Sequence, residues 1–332
     1  MQVRSDQKIQ LYPVGGIIGR RGQAARVDPA VVPVQAADRD AVVDAEADVV
    51  DAEANMKKND IPSLGVGLGF RPEFMSSIFM NREKIDFLEI IADHYIDCSP
   101  EKLKELDLLA ENFILIPHAI HLSLGSVDLD LNYLHKLNTV IQRINPPYWS
   151  EHISFSQVHG IDIGHLSPLP YSREAIDAFC KNIERVKKSI SQPLILENIS
   201  YSIKLPGQEM PEAKFINEIL LETGCGLLLD VTNLYTNSVN HNYNALGFLN
   251  EVMAERIVQL HFVGVDIKNE VIIDSHSQKT SPEIWSLMEE VFKRSKVKGA
   301  VLERDLNFPA FSEITEELDI ARKLGKKHKQ WN

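Results

Sequence analysis

From residue 64 onward, short apolar runs alternate with longer amphipathic stretches. The runs fall at 64–69, 85–91, 113–117, 149–155, 193–197, 226–230, 257–263 and 300–303. They are near-continuous in apolar residues, as strands buried on both faces of a parallel sheet are. Between them lie helical patterns at 101–112, 173–189, 212–223, 245–255 and 281–294, with apolar residues recurring every three to four positions. Eight strands alternating with helices predict an all-parallel sheet. Eight is also the number that closes a barrel, and about 250 residues is the usual size. The expected fold class is therefore α/β, a (β/α)8 TIM barrel. An open doubly wound sheet is the rival, and it carries a Gly-rich turn after its first strand. Here Gly65, Gly67 and Gly69 lie inside the first run and Arg71-Pro72 follows it, which argues against such a turn.

The first 55 residues break this pattern. They contain one aromatic residue, Tyr12, of the 24 in the chain. The segment Val42-Val43-Asp44-Ala45-Glu46-Ala47-Asp48 is repeated, with one substitution, as Val49-Val50-Asp51-Ala52-Glu53-Ala54-Asn55. A segment so poor in large apolar residues cannot offset the entropy of ordering, so residues 1–55 are expected to be a disordered or low-complexity extension. Met56-Lys57-Lys58 reads as a natural start. The Gly15–22 stretch lacks the Gly-Lys-Ser/Thr ending of a phosphate loop. The expected division is an extension at 1–55, a catalytic barrel at 56–320 and a basic terminal tail at 321–332.

Charge narrows the function. The chain has 35 Lys+Arg and 47 Asp+Glu, a net charge of −12. The first 55 residues hold 6 basic and 9 acidic residues, so the rest carries −9. An acidic body is a poor partner for phosphate backbones, so no nucleic acid is expected. No run approaches 18 apolar residues, so no membrane span is expected, and no secretory signal is evident. Cys98, Cys180 and Cys225 are odd in number and lack metal-type spacing. They read as reduced thiols in a cytoplasmic protein.

The chemistry lies at the ends of the runs. His118 follows the third, His152 lies within the fourth, and Glu197-Asn198 ends the fifth. Asp230 ends the sixth with Asn233 three residues on, and His261 lies in the seventh. Asp274 and His276 follow in the loop after it, and Glu303-Arg304-Asp305 ends the eighth. In a barrel these C-terminal ends converge on one mouth. A lone His or Glu at a strand end is more often a hydrogen-bonded structural group. Four His, two Glu and two Asp buried together without partners would be very costly, whereas metal ions satisfy them all. With Asn233 there are nine donors, more than one ion needs, so two or three ions are expected. The mixed N/O set suits iron, manganese or zinc. Glu197 and Glu303 could also serve as a glycosidase-type acid–base pair, but the surplus of imidazoles argues against it. His94, His121 and His241 are weaker candidates near the mouth, while His135, His159, His165 and His328 read as surface residues. Cys225 reads as a core thiol, and no nucleophile elbow is present.

These residues carry a resemblance. Gly65-Val66-Gly67-Leu68-Gly69-Phe70-Arg71, Pro117-His118-Ala119-Ile120-His121, Ser150-Glu151-His152, Leu196-Glu197-Asn198, Leu229-Asp230-Val231, Asn240-His241, Leu260-His261-Phe262, Asp274-Ser275-His276 and Leu302-Glu303-Arg304-Asp305 run in order along roughly residues 64–310. In this the chain resembles the multinuclear non-haem iron-dependent oxidative enzymes, which include the catalytic subunit of methanobactin biosynthesis. The resemblance implies a xylose isomerase-like barrel holding two or three iron ions, mixed ferrous and ferric, with dioxygen as co-substrate. It implies metal ligands at His118, His152, Glu197, Asp230, His261, Asp274, His276 and Glu303, with Asn233 as a further candidate. Glu197, His261 and Asp230 are then the residues expected to carry the reaction. His121, His241, Asn198, Arg304 and Asp305 are expected to contact substrate or support the ligands.

Enzymes of this kind modify a residue, often Cys, of a ribosomally made precursor peptide, and many need a partner protein that presents it. The chain departs from the family pattern at Ala119 and His121, where Gly is usual, and at Asp230-Val231-Thr232-Asn233. Two other functions fit a metal-lined barrel: divalent-metal hydrolysis or isomerisation, and non-catalytic presentation of a peptide. Iron and redox activity would separate oxidation from the first, and oxygen uptake with a cognate peptide from the second.

Overall fold

A computed structural model describes residues 61–331. The expected extension at 1–55 lies outside them. The chain forms β1 (Gly65–Gly69), α1 (Met75–Met80), β2 (Phe87–Ile91), α2 (Pro100–Asn112), β3 (Leu115–His118), α3 (Leu131–Ile144) and β4 (Trp149–His152). Next come β5 (Phe155–Val158), β6 (Ile161–Ser167), α4 (Arg173–Ser189), β7 (Leu194–Glu197), α5 (Glu212–Thr223), β8 (Gly226–Asp230), α6 (Val231–Asn240) and α7 (Ala245–Glu251). The last elements are β9 (Ile257–Phe262), β10 (Gly264–Lys268), β11 (Val271–Gln278), α8 (Pro282–Arg294), β12 (Gly299–Leu302) and α9 (Phe311–Lys327).

Eight strands close a parallel barrel in the order β1-β12-β9-β8-β7-β4-β3-β2. Each barrel strand falls on one of the apolar runs, so the expected (β/α)8 barrel is the observed fold. Two antiparallel hairpins, β5–β6 and β10–β11, are added at the mouth. Both turn through consecutive residues of positive φ, His159-Gly160 and Asn269-Glu270, the geometry that tight hairpins require. Asp274 and His276 therefore sit on a strand of a hairpin and not in a free loop. Helices start where polar side chains cap them: Ser99, Asp130, Ser172, Asn244 and Ser281 each accept a backbone N–H of the first turn.

Strand alternation divides the core into two. Outward residues such as Leu88, Ile90, Leu196 and Leu260 pack with helix residues such as Leu106, Phe179 and Ile216. Inward residues Phe87, Ile116, Tyr148, Ile195, Leu228, Val258 and Val301 form a second cluster with Ile61 and Leu64 inside the barrel. Phe87 occupies space that glycines leave open, since a Cβ at Gly67 would meet its ring at 2.7 Å and one at Gly299 at 2.8 Å.

The tail expected at 321–332 is part of the fold. Helix α9 runs to Lys327 with Ala321 and Gly325 buried. The Gln330 side chain accepts Val297 N–H at 3.0 Å and donates to Phe292 O at 2.8 Å. Trp331 packs edge-on against Phe292 with ring centroids 5.5 Å apart. His328 is likewise not a free surface group, because its Nε2 lies 2.9 Å from Glu289. The basic residues lie on the exposed side of a helix whose apolar side is anchored.

Candidate metal centre

The inward positions change character two residues along each strand. Ile116 is followed by His118, Ser150 by His152, Ile195 by Glu197, Leu228 by Asp230, Gln259 by His261 and Val301 by Glu303. A period of two keeps each pair on the same face. A filling that is apolar on four of these strands, with Ser150 and Gln259 on the other two, thus gives way to imidazole and carboxylate at the C-terminal ends, and these six end residues are all buried.

They form three adjoining donor groups. His118, His152 and Glu197 make one; Glu197, Asp230, His261 and Glu303 the second; His276, Glu303 and Asp305 the third. Within each group the donor atoms lie within 4.8 Å of one another. Glu197 belongs to two groups and so does Glu303. Glu197 Oε2 is 3.4 Å from Nε2 of both His118 and His152, and its Oε1 is 3.1 Å from His261 Nδ1. Glu303 Oε2 is 3.1 Å from His261 Nδ1 and 3.6 Å from His276 Nδ1. A cavity of about 330 Å³ opens onto them, walled by Ile91, Ile120, Leu166 and Ile199.

Neighbouring groups hold the donors in place. Ser150 Oγ lies 2.8 Å from His118 Nδ1, which leaves Nε2 to face Glu197. Asp230 Oδ1 caps α6 by accepting Thr232 and Asn233 N–H at 2.6 and 2.8 Å, so its other oxygen is the one free for the centre. The Asn198 side chain binds the Asp230 backbone on both sides, accepting its N–H at 2.9 Å and donating to its carbonyl at 3.1 Å. Asn233 donates to Asn198 O at 3.0 Å. His276 has φ +50°, a conformation rare outside Gly. Its carbonyl accepts Asp305 N–H at 2.9 Å, and Arg304 donates to Ser277 O at 3.0 Å. These bonds fasten the β10–β11 hairpin over the mouth.

The charges are unbalanced. Burial tends to lower the pKa of His261, but Glu89, Glu197 and Glu303 outweigh it and hold the imidazole well above its usual range. His276 is raised likewise against burial by Glu303 and Asp274. Burial opposes protonation of His152 too, yet Glu197 and Glu151 raise it to about 9. Burial would raise Glu303 and Glu197, but the surrounding imidazoles hold both below the carboxylate range. Asp230 is pushed up to about 7 by burial and by the charges of Glu197 and Asp274. Protons on imidazoles, with the Arg71 guanidinium 3.5 Å from Glu303 Oε1 at the edge of the group, are thus the main charge compensation these carboxylates find. Three buried oxygens at the centre, Glu197 Oε2, Asn233 Oδ1 and Asp274 Oδ1, have no aligned hydrogen-bond partner, while His152 turns its Nδ1 away from them to within 3.4 Å of Glu151 Oε2. Asp274 Oδ1 does lie 2.9 Å from His276 Nε2, close in distance but off the N–H direction. Unsatisfied donors and excess negative charge fit divalent cations with N/O ligands.

Most of the candidates read from the sequence meet here. His118, His152, Glu197, Asp230, His261, His276 and Glu303 supply the three groups. Asn233 and Asp274 line the same cavity. Asp305, expected in a supporting role, joins the third group directly and pairs with Arg71. Arg304 instead turns to Glu317 of α9, at 2.9 Å. His241 stacks on Tyr201 with centroids 4.5 Å apart and contacts its carbonyl at 2.7 Å, outside the donor groups. His121 stands at the rim with Nδ1 2.7 Å from Asp93, which also accepts from Tyr133 at 2.6 Å. His94 is exposed. Sequence reading missed Glu89, Arg71, Ser150 and Gln259. Glu89 left a signal, a lone carboxylate inside the apolar run Phe87-Leu88-Glu89-Ile90-Ile91.

Comparison with known proteins bears on the family and the barrel. A family model described as RiPP precursor modification enzyme MbnB/TglH/ChrH matches residues 65–326. A UPF0276 protein of Caulobacter vibrioides is 32% identical over 263 residues, covering 79% of this chain and 94% of its own. One from Acinetobacter baylyi is 34% identical over 257 residues, covering 77% and 89%. Among solved structures, a xylose isomerase domain containing protein from Salmonella typhimurium superposes with TM-score 0.57 at 12% identity, covering 80% of this chain and 98% of its own. D-psicose 3-epimerase gives 0.52 at 11%, covering 80% and 100%. At such identity these two show the barrel alone. Among the described residues, no helix is long and apolar enough to cross a membrane.

Proposed function

Because the chain belongs to the RiPP precursor modification enzyme family MbnB/TglH/ChrH, we propose that it is a dioxygen-dependent, multinuclear non-haem iron oxidoreductase. Its substrate in this reading is a ribosomally synthesised precursor peptide, modified at one residue, foremost a cysteine. The observation that carries the reading is the sharing of Glu197 and Glu303 among three donor groups. A carboxylate has two oxygens and can join two neighbouring ions, as multinuclear centres require.

In this reading His118, His152 and Glu197 hold one ion; Glu197, Asp230, His261 and Glu303 a second; His276, Glu303 and Asp305 a third. Asn233 and Asp274 stand ready as additional donors. Bound iron supplies one-electron chemistry with dioxygen that no side chain here can perform. The chain's own part is to place and shield. Ser150 and the cap of α6 fix the directions of His118 and Asp230. Ile91, Ile120, Leu166 and Ile199 keep bulk water off the donors. A cavity of about 330 Å³ admits a single peptide side chain more readily than a folded domain. The reading includes a partner protein that presents the peptide, and a cytoplasmic setting in which the free Cys98, Cys180 and Cys225 stay reduced.

The test is to purify the protein without oxygen, measure its metals, and supply oxygen with cysteine-containing candidate precursor peptides. Two or three irons per chain, oxygen uptake and a mass change on the peptide are expected. Zinc- or magnesium-loaded protein that consumes no oxygen would overturn the reading in favour of metal-assisted hydrolysis or isomerisation.

A further inference from the structure

Beneath the donor groups lies a polar chain inside the barrel. Tyr148 Oη donates to Gln259 Oε1 at 2.7 Å. That bond turns the Gln259 amide nitrogen toward β2, where it donates to Glu89 Oε2 at 2.6 Å. The other oxygen, Glu89 Oε1, lies 2.8 Å from His261 Nε2. Tyr148, Gln259 and His261 are fully buried and Glu89 nearly so, at 3% exposure.

The chain has a direction. The Gln259 amide nitrogen, 3.3 Å from His261 Nε2, makes its short bond to Glu89 Oε2 at 2.6 Å and not to the imidazole. A bare Nε2 lone pair would face a carboxylate oxygen at 2.8 Å. That oxygen is an acceptor only and is closer than the Gln259 amide, whose nitrogen is already engaged by Glu89 Oε2. Nε2 therefore carries the proton and donates it to Glu89. His261 Nδ1, on the opposite side of the ring, lies 3.1 Å from both Glu197 and Glu303.

We infer that Glu89, oriented by Gln259 and Tyr148, is the positioning residue that keeps the proton of His261 on Nε2 and thereby commits Nδ1 to the metal centre. The inference rests on the metal reading above. It assigns a role to a residue outside the donor groups, contributed by a strand that supplies no ligand. Outer carboxylates that hold a ligand imidazole typically change metal affinity by about 10- to 100-fold when removed.

The test compares wild-type protein with Glu89→Gln in anaerobic titrations with ferrous ion, and with zinc as a diamagnetic probe for nitrogen NMR. In wild type, the zinc-loaded protein should show His261 protonated at Nε2. In Glu89→Gln that signal should be lost or exchange-broadened, and affinity for the His261-containing site should fall about 10- to 100-fold. The first group, which lacks His261, should still bind. Should Glu89→Gln not fold, Gln259→Leu leaves the carboxylate in place, removes its orienting donor, and should weaken binding in the same direction by a smaller factor. A purely structural Glu89 would lower the thermal midpoint but leave affinity and tautomer unchanged, which would overturn the inference while leaving the metal reading intact. Wild-type protein that takes up no metal at all would overturn both.

Discussion

The two ends of the barrel interior are built from the same strands and behave as opposites. At the N-terminal end, Phe87, Ile116, Ile195, Leu228 and Val301 fill the lumen with apolar side chains. At the C-terminal end, two residues further along, the inward positions are His118, Glu197, Asp230 and Glu303, and Glu197 Oε2 finds no hydrogen-bond partner. The closed end stabilises the fold by burial and packing. The open end gives up that stabilisation to keep donors free. Between them the Tyr148–Gln259–Glu89 chain passes from one regime to the other. Strand geometry is indifferent to the change, which teaches that a barrel can carry a costly site provided the next layer down is tightly packed.

Several substitutions test this division. The largest effect on function is expected at the open end. His261→Ala should lose metal and turnover together, because three carboxylates then face one another without their imidazole; full metal content and activity in that variant would sink the assignment. The largest effect on stability from a conservative change is expected at the closed end of the same strands. Ile195→Ala should lower unfolding stability by about 2–5 kcal/mol while metal content stays at the wild-type level; a variant equally stable but metal-poor would break the division.

Acidity offers a third test. His152 titrates at about 9 in metal-free protein against 6.5 for an unperturbed imidazole. Its charged form therefore stabilises the metal-free fold fully below pH 6.5, and this contribution is lost as pH rises through 9. The metal-free thermal midpoint should fall over that window, by the equivalent of at most ~3 kcal/mol. Metal-loaded protein should not show the fall, since bound ions replace the protons. Parallel curves for the two forms would contradict the picture. The smallest effect concerns how far the closed end extends. Removing residues 328–332 deletes the Gln330 bonds to Val297 and Phe292, next to the start of β12. The midpoint should drop by a few degrees, about 2–4 °C per kcal/mol, with metal content unchanged.

Much of this arrangement is legible in the sequence because burial on both faces leaves a continuous apolar signature, and a polar residue at its end stands out. His118, Glu197, Asp230, His261 and Glu303 are found that way. Glu89 is not, because it sits mid-run, and its partner Gln259 is 170 residues away; only closure of the barrel brings β2 near β9. Helix α6 also escapes. Its sequence, VTNLYTNSVN, has Asn and Thr on buried positions where they serve the site, so it lacks a clean apolar stripe. Helices α3 and α9 went unread too, the latter because basic residues on its outer face suggest a tail. The hairpins are short, and their turns depend on backbone conformation at His159 and Glu270 that composition does not announce.

Shared ligands have a consequence for loading. Glu197 links the first group to the second, and Glu303 links the second to the third. The groups therefore form a row in which the middle position touches both ends. An ion arriving there would align two carboxylates for its neighbours, and its departure would leave both ends with a loosened, negatively charged donor. If the row holds ions as proposed, its occupancy would be collective: uptake curves should be steeper than those of independent sites, and partially filled protein should be scarce at intermediate metal concentrations.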